Sequence, residues 1–508
     1  MDRARRLLFG SLLAVGVVRM VGYLAYAVAC LPSPLEVFHL EAKMVLLASR
    51  VQAGATLYPE WRAYPHVANF FGPVYFVVVG LLGAATDADI PDLFRIGRGV
   101  TFASGLLTTL VLGLVLGGRY GRGAGVAGAV LSLGAAPMFG FSVMVRPDLM
   151  AETLGLGGFF LSGHRSRAGR VAAVALLALA VLTKQTAVVF LVAAALASAV
   201  EGRWRRAGGV LGGGSALLFA LVVAITVLFE PNFAASIAGE AKSPWVVGEW
   251  LRTLRRLVET SPDLLLVTAI GVWLWTGRGA GTGDVRWAVL AVVLVGSGLV
   301  MSAKYGADLN YFLSLRATES LAIGTLWHAR RTAKGRRRSV AISAAAGLAL
   351  VSLLPGVFHA ASQALLARNQ AGFLAGPTGQ SLLRSYQKAI RLARDPDYRL
   401  LTDLGLFDLY QGERAAFGDP WLFRRLVDTG QIEPTVIMSR IDNQYYDLIV
   451  TTSDLDSANR ASETFGLPKA LAVRAGERYA PIRVEAGLFY YGRRRDRDTP
   501  RGAGRSPE

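Results

Sequence analysis

Long apolar blocks, rather than alternation, set the pattern of this chain. Runs approaching 20 residues with few charges predict membrane-spanning helices. Eleven such runs occupy 7–31, 96–116, 123–144, 149–163, 171–183, 186–200, 209–229, 262–277, 286–301, 311–328 and 339–358. Several are short, and 171–183 has to borrow flanking residues or sit in a thinned bilayer. A further apolar run, 71–85 (FGPVYFVVVGLLGAA), would reverse the side of every later loop if it crossed. It is expected instead as a re-entrant or interfacial helix inside a long first outer loop, 32–95. Ionisable residues are expected at span ends rather than at their centres. Beyond residue 358 the pattern changes. Short β-type runs at 399–402, 446–452 and 488–491 alternate with helical stretches around 380–394 and 420–429, which predicts a small α/β domain.

Composition agrees with a membrane chain. Of 508 residues, 53% are hydrophobic and only 18% charged, and mean hydropathy is +0.41. Disorder and an ordinary soluble fold are both excluded by these values. The net charge of +18 points to nucleic acid only until its location is read. Segments 1–6, 117–123, 163–170, 201–207, 277–287 and 329–338 hold 19 Lys+Arg against three acids, Asp2, Glu201 and Asp284. They alternate along the chain as cytoplasmic loops do. The surplus is therefore a topology signal, with no nucleic-acid partner implied. The expected arrangement is a multi-pass protein of the cytoplasmic (inner) membrane with a cytoplasmic N-terminus and the C-terminal domain on the outer face. Ala27-Val28-Ala29 precedes Cys30, but the apolar region is too long for a cleaved leader, so a retained signal anchor is expected. The single cysteine excludes an intrachain disulfide and any Cys-based zinc or iron–sulfur site. The expected fold is an α-helical polytopic membrane protein, with domains at 1–358 and 359–495 and a disordered basic tail at 496–508.

Ionisable groups near apolar faces are costly in a membrane protein unless paired or functional. Five places on the expected outer side hold them. In the stretch 36–53, Glu36, His39, Lys43 and Arg50 share one helical face, as on a helix lying on the membrane. Glu41 has only apolar neighbours at helical spacing, which suits either a general base or a snorkelling carboxylate. Arg146-Pro147-Asp148 joins two spans and reads alone as helix capping. Lys184, before Gln185 at the tip of a tight hairpin, suits a phosphate or an interfacial anchor. Residues 304–311 pack Lys304, Asp308, Asn310, Tyr305 and Tyr311 together. The first loop adds Tyr58, Trp61, Tyr64, His66, Tyr75, Arg95 and Arg98, aromatics that serve either a sugar site or an interfacial belt. No Walker lysine loop, HExxH or GxSxG occurs, so ATPase, zincin and α/β-hydrolase readings lose support.

The phrases HLEAKMVLLASRVQAGATLYP, FGPVYFVVVGLLG, RIGRGV, VRPDLMAETL, LTKQTAVV and KYGADLNYF, in this order over about 36–315, resemble the GT-C fold glycosyltransferases. Within them the likeness is to the bacterial group related to aminoarabinose and protein-mannosyl transferases (family 39-like). The resemblance implies a GT-C-like membrane domain of about eleven spans with interfacial helices in the first outer loop. It implies transfer of a sugar from a polyprenyl-phosphate donor to a glycan, lipid or protein acceptor at the outer face. It assigns Glu41 as general base, with Glu36 as fallback, and gives Asp148 a supporting catalytic role. Lys184, Arg146 and Lys304 become candidates for the donor phosphate. His39, Tyr58, Tyr75, Gln185, Asp308, Asn310 and Tyr311 become candidates for substrate contact. No cofactor is certain, and a divalent cation, Mg or Mn, stays open because many relatives carry an adjacent Asp-Glu pair where this chain has a lone Glu41. The alternatives are a lipid-linked oligosaccharide ligase or polymerase, and a transporter or flippase.

Overall fold

The computed structural model describes residues 2–33, 36, 40–240, 244–277, 282–305, 307–333, 335–455, 466–485 and 487–494. The chain forms two compact units. One comprises residues 1–57 and 70–372, the other residues 58–69 and 373–508. His39 and the expected basic tail lie outside the described residues.

The first unit is helical throughout: α1 (Asp2–Cys30), α2 (Glu41–Gln52), α3 (Val74–Ala85), α4 (Ile90–Tyr120), α5 (Arg122–Leu133), α6 (Ala136–Phe141), α7 (Asp148–Ser162), α8 (Arg167–Thr183), α9 (Val188–Val200), α10 (Trp204–Leu228), α11 (Phe233–Glu240), α12 (Val247–Thr260), α13 (Pro262–Thr276), α14 (Thr282–Met301), α15 (Leu315–Thr332) and α16 (Arg336–Ala375), the last running on into the second unit. All eleven expected runs are helical. Among the described residues, five helices are long and apolar enough to cross a bilayer unaided, and six if the pair α12–α13, bent by 83°, is one broken span. The run 123–144 is broken. Pro137 has no N–H to continue α5, so the chain restarts as α6 and leaves the Gly134 carbonyl to accept from Arg19 Nε at 3.0 Å. At 12 residues, α3 is about 18 Å long, short of the ~30 Å apolar core.

Two expectations are overturned. The stretch 36–53 does not lie with a charged face in water, because Lys43 and Arg50 of α2 are buried with its apolar residues. Nor do charges keep to span ends. Arg19, in the middle of α1, pairs with Asp263 at 2.8 Å and Glu319 at 3.7 Å, all three buried. Partners hundreds of residues away supply the neutralisation that a window of local sequence does not show.

The second unit carries α17 (Pro377–Arg394), β1 (Leu400–Thr402), α18 (Gly405–Gln411), α19 (Pro420–Asp428), α20 (Thr435–Asp442), β2 (Leu448–Thr451), α21 (Lys469–Arg478), β3 (Tyr479–Glu485) and β4 (Leu488–Arg493). The sheet order is β1-β2-β4-β3, with β1 parallel to β2 and the other pairs antiparallel. The three anticipated strand runs are present. Strand β3 was not anticipated, because it is a largely exposed edge strand with a proline and charged residues along it.

At the ends of the parallel pair, Asp403 accepts from the Thr452 N–H at 2.9 Å and its hydroxyl at 2.8 Å. Burial pushes the Asp403 carboxyl up to about 7, against which the Thr452 bonds act only partly. The folded unit thus holds a proton there that the unfolded chain has released above about pH 4. Stability contributed at this site is greatest below that pH and is lost as pH rises towards 7. Amide-exchange protection of β1 and β2 in the full chain should therefore fall between about pH 4 and 7, and Asp403→Asn should flatten the fall. Equal pH dependence in both proteins would contradict this assignment.

Candidate active site

The site is built around the first residue of α7. Segment 142–147 leads into it and is strapped to α4. Thr101 Oγ1 donates to the Arg146 carbonyl at 3.1 Å, and Val145 packs on Gly97, where a Cβ would come within 2.5 Å of Val145 Cγ1. Asp148 then starts α7 with its carboxylate near the positive helix end, yet its oxygens do not cap the backbone. Lys184 Nζ sits 2.5 Å from Oδ1, Asn310 Nδ2 donates to Oδ1 at 3.1 Å, and Arg146 Nε donates to Oδ2 at 3.2 Å. Asp148 is only 6% exposed. The bland reading of Asp148 as a cap is thereby replaced by an ion cluster.

Each partner is delivered by a break in helix. Lys184 occupies the extended residue between α8 and the 3₁₀ turn Gln185–Ala187 that opens α9. The loop before α3 packs against the end of α8 because Gly72 has no side chain; a Cβ there would lie 1.7 Å from the Leu182 carbonyl oxygen. Asn310 and Tyr311 lie on the 3₁₀ turn Leu309–Phe312, started by Asp308, which accepts from the Leu309 N–H at 2.7 Å. The Tyr311 ring stands over the Lys184 ammonium at 5.4 Å.

A cavity of about 50 Å³ opens at this cluster. Its lining includes Asp148, Glu152, Lys184, Asn310 and Tyr311 together with the apolar Val189, Phe190, Leu294, Met301 and Leu313. Two cations on one carboxylate leave a surplus positive charge beside an apolar wall, the combination that binds an anionic group on a greasy carrier. Glu152 escaped the sequence reading, although its place one turn after Asp148 on α7 was the available signal. It is 2% exposed and ion-paired to Arg316 at 3.2 Å.

A divalent cation does not fit this cavity. Both oxygens of Asp148 already face an ammonium or a guanidinium, and among the described residues no group of three or more His, Cys, Asp and Glu could hold a metal ion.

The remaining expected residues lie elsewhere. Glu41 is fully buried and does not line the cavity. Arg98 grips it with both arms, Nε to Oε1 and Nη2 to Oε2 at 2.8 Å each, and the Val145 N–H donates to Oε1 at 3.0 Å. Arg98 also donates to the carbonyls of Ser33 and Cys30. The Glu41–Arg98 pair ties the end of α1, α2, α4 and the segment before Asp148 together. Glu36, the fallback, accepts from the Ala42 N–H at 3.3 Å. Tyr75 is buried with its hydroxyl on Gly97 O and Thr101, and Gln185 donates to the Phe70 carbonyl. Asp308 pairs with Arg256 at 2.8 Å, and Lys304 bridges to Trp245 through the backbone. Tyr58 belongs to the second unit.

No protein-family model and no curated protein matches the chain by sequence. Solved structures do match by fold. ArnT from Cupriavidus metallidurans in the apo state superposes with TM-score 0.57 at 14% identity, covering 93% of this chain and 96% of that one. The same protein bound to undecaprenyl phosphate gives 0.53 at 13% identity, with the same coverage of 93% and 96%. The Archaeoglobus fulgidus oligosaccharyltransferase AglB, in complex with an inhibitory peptide and a dolichol-phosphate, gives 0.54 at 12% identity, covering 96% of this chain and 75% of that one. The chain thus has the GT-C fold that the sequence phrases resemble.

Removing one partner of the Glu41–Arg98 pair strands a buried charge, at a cost of about 3–5 kcal/mol. Glu41→Leu and Arg98→Met should each lower the unfolding midpoint in detergent markedly, and the double variant should be more stable than the sum of the two losses allows. Additive losses would show that the pair is not the clamp.

Proposed function

We propose that this chain transfers a sugar from a polyprenyl-phosphate-linked monosaccharide to an acceptor at the outer face of the cytoplasmic membrane. The observation that carries the reading is the Asp148 cluster, where Lys184 and Arg146 outnumber the carboxylate they hold and the adjoining cavity wall is apolar. The fold shared with a protein bound to undecaprenyl phosphate supports it. The arginine-rich segments in the sequence support a cytoplasmic N-terminus and eleven crossings.

Charge balance separates this donor from its rival. Asp148, Glu152 and Lys184 line the cavity, and with Arg146 and Arg316 paired to the two carboxylates behind them, three cations stand against two carboxylates. The net single positive charge matches one phosphodiester. A pyrophosphate-linked oligosaccharide, the donor of a ligase or polymerase, would bring a second negative charge with no partner here.

The chemistry follows from competition for the cations. A donor phosphate draws Lys184 and Arg146 away from Asp148 and neutralises the charge that grows on the leaving oxygen. The same exchange uncovers the Asp148 carboxylate, which takes the proton from the acceptor hydroxyl. The acceptor oxygen bonds to the anomeric carbon as the bond from that carbon to the phosphate oxygen breaks. The electron pair leaves on polyprenyl phosphate. Asp148 thus takes the role expected of Glu41, and Glu41 positions the segment that carries it. Val189, Phe190, Leu294 and Met301 face the isoprenoid end of the donor.

Purified full-length protein given labelled polyprenyl-phosphate monosaccharide should transfer the label. Translocation without transfer would favour a flippase, and refusal of every monosaccharide donor would favour a ligase or polymerase. Lys184→Ala should raise the donor KM about 10–100-fold, the value of a hydrogen bond to a charged group, and EDTA should leave the rate unchanged. An unaltered KM would remove Lys184 from the phosphate site.

A further inference from the structure

Deeper along α7 than Asp148, the cavity wall holds Glu152, whose ion pair has no assigned part in transfer. Glu152 lines the cavity and is 2% exposed, and behind it Arg316 of α15 is fully buried. Arg316 Nε donates to Glu152 Oε2 at 3.3 Å, and Arg316 Nη1 reaches Ser132 Oγ at 3.4 Å. Two polar atoms of the pair are left over. Glu152 Oε1 lies 3.2 Å from Arg316 Nε but receives no hydrogen bond, and Arg316 Nη2 donates to nothing. Buried polar atoms of this kind are rare and costly.

The two vacancies are complementary, one needing a donor and the other an acceptor. A hydroxyl is both at once. Its position is set by the helix. Residues four apart on one face have Cβ atoms about 5–6 Å apart, so Glu152 lies roughly a sugar ring's width beyond the residue that gathers the phosphate-binding cations. An acceptor entering from water meets the Asp148 end first, which leaves the inner end to the donor sugar.

We infer that Glu152, backed by Arg316, is the floor of the donor-sugar subsite and reads a ring hydroxyl remote from the anomeric carbon. The hydroxyl donates to Glu152 Oε1 and accepts from Arg316 Nη2. The substrate class this selects is a polyprenyl-phosphate monosaccharide with that hydroxyl free. A sugar deoxygenated or acylated at that carbon leaves both protein atoms unpaired. Glu152 is a specificity-determining residue, and this role rests on the reading of the cavity as a donor site.

The test compares donors before it compares proteins, so that folding of a variant does not decide it. Wild-type protein is assayed with the polyprenyl-phosphate sugar it transfers and with each monodeoxy analogue of that sugar. One analogue should lose kcat/KM by about 100-fold or more, as sites built around a substrate hydroxyl do. Glu152→Gln keeps the shape and weakens the bond to a neutral one. It should cut that discrimination about tenfold for the same analogue and leave the other analogues' ratios unchanged. A purely structural role would lower all rates together and leave the ratios alone. If every monodeoxy donor is used as well as the parent, or discrimination survives Glu152→Gln unchanged, the inference fails while the transfer reading stands. If no polyprenyl-phosphate sugar is transferred, both fail.

Discussion

A charge inside an apolar helical unit has to be paired, and in this chain the pairs decide which helices meet. Arg19 of α1 meets Asp263 of α13 and Glu319 of α15. Glu41 of α2 meets Arg98 of α4, and Glu152 of α7 meets Arg316 of α15. Asp148 of α7 gathers Arg146, Lys184 from the α8–α9 turn and Asn310 from the turn before α15. Of these four clusters, only the last has more cations than carboxylates. The surplus sits where the cavity opens, so the same rule that holds the unit together leaves one place ready for an anion.

That arrangement links fold to chemistry in a short chain of contacts. The Arg98 fork on Glu41 fixes Val145, which is followed by Arg146, Pro147 and Asp148. Asp148 in turn holds the two cations while no phosphate is present. The carboxylate is thereby covered, and in the proposed reaction a phosphate that claims its partners exposes it. On the proposed reading, binding of the donor and readiness of the base become one event, so that an acceptor is not deprotonated before the donor is in place.

Much of this was legible in the sequence. Each of the eleven apolar runs is helical, and the alternation of arginine-rich segments with polar corners leads to the expectation that Arg146, Asp148, Lys184, Asn310 and Tyr311 lie on one side. The structure brings these five together. What local spacing does not carry has a common cause. Whether Glu41 is a base or a clamp depends on Arg98, 57 residues away, and local spacing carries no trace of that pairing. Arg19, inside an expected span, was not singled out, and its partner Asp263 is 244 residues on. Glu152 stands inside the phrase VRPDLMAETL but inside an apolar run, where charges were not expected, and its buried partner Arg316 is 164 residues away. Strand β3 was hidden because an exposed edge needs no apolar alternation.

The most direct test of the central claim is the affinity of the full-length protein in lipid nanodiscs for polyprenyl phosphate without sugar, measured for wild type and Asp148→Asn. If the carboxylate competes with phosphate for Lys184 and Arg146, the neutral variant should bind the lipid phosphate more tightly while losing transfer. Loss of phosphate binding in a folded Asp148→Asn protein would contradict the account, because it would make Asp148 part of the phosphate site rather than its occupant at rest.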